Sequence, residues 1–292
     1  MAQIIDGKAT AAAERERIGK EVGALPPGVV PGLAAVLVGD DPASHVYVGQ
    51  KERMCERAGM RSLGARLDAD VSQEELHAEI DHLNADPAVS GIIVQMPLPD
   101  HLDAVTAQER VDPLKDVDGL HPENAGRLLR GDPRYVPATP LGCTVLLSTY
   151  DIDVAGADVV VIGRSQLVGR PLGALLSLKP GDANPVGNAT VTLCHTGTRD
   201  VAAHTRRADI VVVAAGRPRT LTREMIRPGA TVIDVGIHRA EDGSLYGDAD
   251  FDELEPVAGA ITPVPGGVGP MTVTMLLENT LRAARLQHGL LE

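Results

Sequence analysis

The feature that most constrains this chain is an alternation of short apolar runs with amphipathic segments, present in two series and interrupted once. In the first series ATAAAERERIGKEV has the spacing of a helix and GLAAVLVG that of a buried strand. Residues 42–58 read as a helix, RSLGARL as a strand, SQEELHAEIDHLNAD as a helix and SGIIVQM as a strand. Ser72, with Glu75 following it, has the form of a capping box. In the second series ADVVVIG, ATVTLC, DIVVVAAG, ATVIDVG and GAITPV are each followed by a turn or helix signal. A helix between successive strands predicts parallel βαβ units, so the expected fold class is α/β with two α/β domains. Between the series, residues 97–140 carry PLPD, HPENAG and GDPRYVPATP, whose repeated Pro and Gly predict a long functional loop and a domain linker. The last segment is apolar at Val273, Leu276, Leu277, Leu281 and Ala284, which predicts a helix that returns to the first domain. The expected domains are 1–140 plus 272–292, and 141–271.

Bulk properties then exclude several function classes. A chain of 292 residues with 43% hydrophobic content can form two cores. With 40 acidic against 27 basic residues the net charge is -13, which disfavours nucleic acid and anionic membrane surfaces as partners. The apolar runs are strand length and the N-terminus lacks a signal-peptide pattern, so a soluble cytoplasmic protein is expected. Cys55, Cys143 and Cys194 lie far apart and form no CxxC pair, which predicts free structural thiols rather than zinc or a disulfide.

SHVYVGQK, within the helix expected over 42–58, carries the first candidate chemistry. Asp41 suits an N-cap, Pro42 the first helical position and Gly59 a stop. At about 100° per residue, Glu52, Arg53, Glu56 and Arg57 share one arc, while Ala43, Ser44, Tyr47, Val48, Met54, Cys55 and Ala58 share the opposite one. Lys51 projects from the middle of that second arc. It is either an amphipathic lysine whose stem lies on the core, or a desolvated lysine with a lowered pKa, able to exchange protons beside Tyr47.

Other segments supply what such a lysine would need. Gln95 falls near the carboxyl end of an expected strand, where parallel sheets face their ligands. PLKDVDGLHPENAGRL gathers charged and polar groups. Its Asp116 and Asp118 ahead of Gly119 imitate a calcium loop without the remaining ligand spacing, so no metal is expected, and Asp118 suits an acceptor for the N–H groups of a heterocycle. VVVIGRSQLVGRPLGALL reads as strand, Gly turn and helix, a place for a pyrophosphate, with Gly163 and Gly169 fitting the usual pattern and Ser165 at the second glycine position. After ATVTLC come His195, Thr196, Gly197 and Thr198, with no carboxylate before Asp200. Together with Arg164, this favours a 2′-phosphate over a bare ribose, hence NADP over NAD. His195 reads as a structural histidine. TPVPGGVGPMT fixes a backbone path close to a neighbour.

Taken in order, VGDDPASHVYVGQK, GIIVQMPLP, KDVDGLHPENAGRL, PATPLG, GRSQLVGRP, ATVTLCHTGT and PVPGGVGPMT resemble the bifunctional 5,10-methylenetetrahydrofolate dehydrogenase/5,10-methenyltetrahydrofolate cyclohydrolase family across nearly the whole chain. The resemblance implies a folate-binding first domain, a Rossmann-like NADP-binding second domain, a cleft between them, tetrahydrofolate derivatives as substrates, and a homodimer. It implies Lys51 as the central catalytic residue, Tyr47 against the pterin, Gln95 positioning Lys51, Asp118 anchoring the pterin ring, and Pro265 and Gly266 on the folate side. It further implies that Thr139, Gly163, Arg164, Ser165, Leu167, Thr196, Ala215, Ile237, Gly269 and Thr272 contact the dinucleotide. The chain departs from the family pattern at Leu120, Ala138 and Thr196, where phenylalanine, cysteine and serine are usual. A dehydrogenase with little cyclohydrolase activity, and a non-catalytic dinucleotide sensor, remain as alternatives.

Overall fold

The structure, a computed structural model, describes residues 1–181 and 184–291; the side chain of Ala43 lies outside the description. The elements in chain order begin with β1 (Gln3–Ile4) and α1 (Gly7–Gly23). The first series follows as β2 (Gly32–Val38), α2 (Pro42–Arg57), β3 (Arg61–Leu67), α3 (Gln73–Ala85) and β4 (Gly91–Val94), then α4 (Ala104–Arg110) and α5 (Pro122–Arg130). The second series comprises α6 (Ala138–Thr149), β5 (Asp158–Ile162), α7 (Gly169–Ser177), β6 (Thr190–Cys194), α8 (Val201–Thr205), β7 (Ile210–Val213) and β8 (Thr231–Asp234). It continues through β9 (His238–Arg239), β10 (Leu245–Tyr246), α9 (Phe251–Leu254) and β11 (Ala260–Ile261) to α10 (Val268–Gln287).

Two compact units emerge. One contains Ala13–Arg127, Arg134–Val136 and Val273–Glu292. Its sheet has the order β3-β2-β4 and is wholly parallel, with every residue of β2 buried, as a strand covered on both faces requires. Ala34, Val36 and Val38 of β2 pack with Leu76, Ile80 and Leu83 of α3 and with Ile92 and Val94 of β4. The C-terminal part of α10 belongs to this unit, as its periodicity predicts. The buried Asn279 donates to the carbonyls of Val117 (2.7 Å) and Val136 (2.8 Å), which ties the loop after β4 to that helix.

The other unit contains Met1–Ala12, Leu128–Pro133 and Pro137–Thr272. Its sheet runs β1-β11-β8-β7-β5-β6, all parallel, over a core that includes Val160, Ile162, Val211, Val213, Val232 and Ile261. The alternation read from the sequence therefore becomes two parallel α/β sheets. Two features differ from the sequence expectation. β1, placed with the first domain on sequence order, pairs with β11 of this second sheet, because a two-residue strand carries no periodicity to announce it. Residues 97–140 are not loop throughout: α4 and α5 form there, and α6 starts there. Asp103 accepts from the N–H groups of Val105 (2.9 Å) and Thr106 (3.2 Å), so α4 has an ordinary N-cap that neighbouring prolines hid from a composition argument. Among the described residues, no helix is long and apolar enough to cross a membrane.

Candidate active site

Helix α2 starts as its sequence dictates. Asp41 Oδ2 accepts from the Ser44 N–H at 2.7 Å, with Pro42 in the first turn. Ser44, Val48, Cys55 and Ala58 are buried, while Arg53, Glu56 and Arg57 are exposed. Tyr47 departs from the expected apolar arc: half of its surface (51%) is exposed, so its ring is available to a ligand rather than spent on the core.

Lys51 is half-buried, and its Nζ donates to Gln95 Oε1 at 3.1 Å. The amide that receives it is held from both ends. Gln95 Nε2 donates to the Met96 carbonyl at 2.6 Å, and the Gln95 backbone N–H donates to the Val36 carbonyl at 2.9 Å. β4 itself stops at Val94 rather than Met96, since Pro97 has no N–H to extend the ladder, and this leaves Gln95 at the carboxyl edge of the sheet. Burial lowers the Lys51 pKa from the ordinary lysine range, and the charge of Asp118 pulls it partly back up. The same burial pushes Asp118 up to about 6, against the pull of Lys51 and with a push from Asp116.

Asp118 is delivered by a rigid segment. Lys115, buried, donates to the carbonyls of Leu83 (3.2 Å) and Asp86 (2.8 Å). Asp116, also buried, accepts from the N–H groups of Leu120 (3.2 Å) and His121 (2.8 Å) and from Asn124 Nδ2 (2.8 Å). Val117 lies against Gly91, where a Cβ would sit 2.5 Å from Val117 Cγ1, so only glycine lets the segment come this close to β4. Of the charges in this motif, Lys115 and Asp116 are held by hydrogen bonds within the fold, whereas the Asp118 carboxylate has no hydrogen-bond partner among the described residues. The sequence reading singled out Asp118, and the fold adds the physical reason, that Asp116 is already engaged.

The dinucleotide candidates gather in the other unit. A cavity of about 340 Å³ is lined by Gly163, Arg164, Ser165, Thr196, Ala215 and Arg217, among others. A Cβ on Gly163 would collide with the Ala214 carbonyl, and one on Gly169 with the Gly163 carbonyl, so the turn between β5 and α7 depends on both glycines. Gly163 also has φ +130°. Ser165 Oγ accepts from the Val168 N–H at 3.1 Å, which makes this serine a turn-former as well as a lining residue. α7 begins with no side-chain cap, but the Arg170 N–H donates to the Ser165 carbonyl at 3.1 Å and Pro171 has no N–H, which leaves that of Gly169 for an anion. His195 is engaged in its own turn, its Nδ1 accepting from the Gly197 N–H at 3.0 Å. Asp200, the first carboxylate after β6, caps α8 by accepting from the Ala203 N–H at 2.9 Å and does not line the cavity.

Four of the five remaining expected cofactor residues fall into two pairs, and Leu167 stands apart. Thr139 and Thr272 hydroxyls are 2.9 Å apart, and a Cβ on Gly269 would lie 3.4 Å from Ile237 Cδ1. Ile237 and Leu167 are half-exposed. Pro265 and Gly266 belong to the same unit as these residues, and not to the unit of Lys51, Gln95 and Asp118. Gly266 (φ +111°) accepts through its carbonyl from the Lys8 N–H at 3.0 Å. Arg217 went unread in the sequence. The signal was there, because VVVAAGR repeats the strand–Gly–Arg ending of VVVIGR.

Comparison with known proteins agrees with this geometry. Residues 5–118 match the tetrahydrofolate dehydrogenase/cyclohydrolase catalytic domain, and residues 137–288 the NAD(P)-binding domain of the same family. The chain belongs to the tetrahydrofolate dehydrogenase/cyclohydrolase family. It is 53% identical to the bifunctional protein FolD of Bordetella avium over 97% of each chain. The crystal structure of the bifunctional FolD methylenetetrahydrofolate dehydrogenase/cyclohydrolase from Campylobacter jejuni superposes with a TM-score of 0.93 at 44% identity, covering 98% of this chain and 99% of that one. The Trypanosoma brucei enzyme, solved with NADP cofactor and inhibitor, gives a TM-score of 0.89 at 40% identity, covering 98% of each. Among this family member's departures from the pattern, Ala138 is buried, Leu120 half-buried and Thr196 exposed at the cavity.

Proposed function

We propose that this chain oxidises 5,10-methylenetetrahydrofolate to 5,10-methenyltetrahydrofolate with NADP and hydrolyses that product to 10-formyltetrahydrofolate. The observation that carries the reading is the hydrogen bond from Lys51 Nζ to a Gln95 amide that is itself fixed, in a place where burial lowers the lysine pKa.

In the hydrolytic step water adds to the one-carbon cation and the five-membered ring opens. Both protons of the water must leave its oxygen, one to reach N5 and one to be released to solvent as the hydroxyl of the adduct becomes the formyl carbonyl. Lys51 takes the first in its neutral form and returns it to the departing nitrogen as the C–N5 bond breaks; a lysine at its ordinary pKa would hold its proton too tightly near neutral pH. Gln95 presents an oxygen and no charge, so it orients the amine without stabilising the ammonium as a carboxylate would. Asp118 accepts from the N–H groups of the pterin, and Tyr47 offers an exposed ring to its face. Pro265 and Gly266 line the folate side.

The cofactor residues fit NADP. The cavity combines two arginines and the hydroxyls of Ser165 and Thr196 with no lining carboxylate among the described residues, and α7 beside it starts without a side-chain cap. Arg164 and Thr196 would hold the 2′-phosphate, Gly163 and Ser165 the pyrophosphate turn, and Thr139, Leu167, Ala215, Ile237, Gly269 and Thr272 the rest of the dinucleotide. When bound, NADP supplies the hydride acceptor, and the protein's part in that step is alignment. A cytoplasmic homodimer completes the reading, and sedimentation equilibrium tests the dimer.

The deciding experiment mixes the protein with methylenetetrahydrofolate and NADP⁺ and follows reduced nicotinamide and 10-formyl product together. Both should rise, with hydrolysis faster than the spontaneous rate. Reduced nicotinamide without accelerated 10-formyl formation would leave a dehydrogenase alone, and neither product would overturn the reading.

A further inference from the structure

β5 and β7 are neighbours in the larger sheet, with Ile162 and Val213 in register. Past that register the chain reads Gly163-Arg164 after one strand and Ala214-Ala215-Gly216-Arg217 after the other. The Ala214 N–H donates to the Ile162 carbonyl at 2.8 Å, so the two loops leave the carboxyl edge side by side. Arg164 and Arg217 both line the cavity of about 340 Å³. Among the described residues neither has an ion-pair partner, and no carboxylate lines the cavity, in a chain that carries 40 acidic residues. Two unpartnered guanidinium groups facing one space suit a doubly charged external anion.

The loop that carries Arg217 is not free to drift. The buried Asp248 binds one end through Oδ2, accepting from the N–H groups of Ala215 (2.6 Å) and Gly216 (2.8 Å). Its backbone carbonyl holds the other end, accepting from the Thr220 N–H at 2.6 Å. His238 Nε2 lies 2.7 Å from Asp248 Oδ1, and Asp234 Oδ1 accepts from the Asp248 N–H at 3.1 Å, so the anchoring carboxylate is itself fixed. Within the turn, Arg219 pairs with Asp250 at 3.5 Å and lines a different cavity, whereas Arg217 lines the dinucleotide cavity. A cation presented on a tethered loop loses little freedom when it captures its ligand.

We infer that Arg217 is a specificity-determining residue that grips the 2′-phosphate of NADP together with Arg164. This rests on the NADP reading above. Calorimetric titration of the full chain with NADP⁺, NAD⁺ and 2′,5′-ADP tests it on wild type, Arg217→Ala and Arg217→Lys. Arg217→Ala should weaken NADP⁺ and 2′,5′-ADP by about tenfold and NAD⁺ by less than about twofold, and Arg217→Lys should recover part of the loss as a point charge without the fork. An unchanged thermal midpoint in Arg217→Ala shows that the fold is intact, as expected for an exposed side chain. Equal losses for NADP⁺ and NAD⁺, or no loss, would overturn the role of Arg217 while leaving a wild-type preference for NADP⁺ standing. A wild type that binds both dinucleotides alike would overturn the NADP reading and the inference together.

Discussion

Around Lys51 the fold takes water away from an ammonium and gives it one neutral partner, the Gln95 oxygen at 3.1 Å. Around Arg164 and Arg217 it does the reverse, leaving two guanidinium groups that, among the described residues, have no ion-pair partners, beside a cavity with no carboxylate lining among those residues. The residue types match the treatment. Lysine changes its charge when buried, and arginine does not under any ordinary condition. On the function proposed above, the first region moves a proton and the second holds an anion. A variant that exchanges or erases either treatment should damage one activity and spare the other.

Lys51→Met tests the first half most severely. The apolar chain fills the same space but carries no proton, so methenyl-folate hydrolysis should fall by about 10²–10⁴-fold, the usual span for a lost general acid–base. NADP⁺ affinity, measured by titration of the same variant, should stay within about twofold because the cavity lies on other elements. Hydrolysis at the wild-type rate would mean that the buried ammonium is merely structural. Arg164→Ala is the mirror experiment. NADP⁺ should weaken by about 10- to 100-fold and NAD⁺ far less, since only the 2′-phosphate loses its forked partner. Equal weakening would reduce the arginine to a shaping role.

The two regions were not equally legible in the sequence. Lys51, Gln95 and Asp118 could be named because each sits at a recognisable place: a helix face, a strand end and a charged turn. What the sequence left open was which charges in the turn are already used. Lys115 and Asp116 look as available as Asp118 until the carbonyls of Leu83 and Asp86 and the N–H groups of Leu120 and His121 are seen to engage them. Arg217 failed to appear for another reason. Arg164 is 53 residues away, and the two line one cavity because β5 and β7 are adjacent in the sheet, a long-range fact that no local period encodes. Short elements were lost in the same way. β1 spans two residues and has meaning only through its pairing with β11.

Subtler variants sharpen the account of the proton carrier. The Asp118 charge raises the Lys51 pKa, so Asp118→Asn should let it fall further and move the midpoint of the hydrolytic pH profile to lower pH. Gln95→Glu places a carboxylate where the neutral oxygen now lies, 3.1 Å from Nζ, and should move the midpoint to higher pH. Opposite displacements, read from rate against pH in the two variants, are the signature of a titrating lysine. A shared direction, or none, would assign the profile to another group.

The smallest expected effect concerns stability, and it separates a functional carboxylate from a structural one. Asp118 ionises at about 6 in the folded chain against an ordinary value of 3.8, so the folded state keeps a proton that the unfolded chain gives up. Stability contributed by that proton is fully present below pH 4 and is lost as the pH rises through 6. Asp118→Asn removes the penalty, and the ligand-free variant should be more stable than wild type at pH 7.5 by about 1–2 kcal/mol after discounting for partial exposure. The gain should vanish at pH 4. Burial raises the Asp116 pKa as well, but its oxygens receive three donors, so Asp116→Ala should instead cost about 2–4 kcal/mol at both pH values because it strands those donors. Denaturant midpoints of the three proteins at both pH values measure the contrast. If Asp118→Asn proves less stable than wild type at pH 7.5, the carboxylate at 118 is holding the fold together rather than waiting for a ligand, and the division of labour between 116 and 118 is wrong.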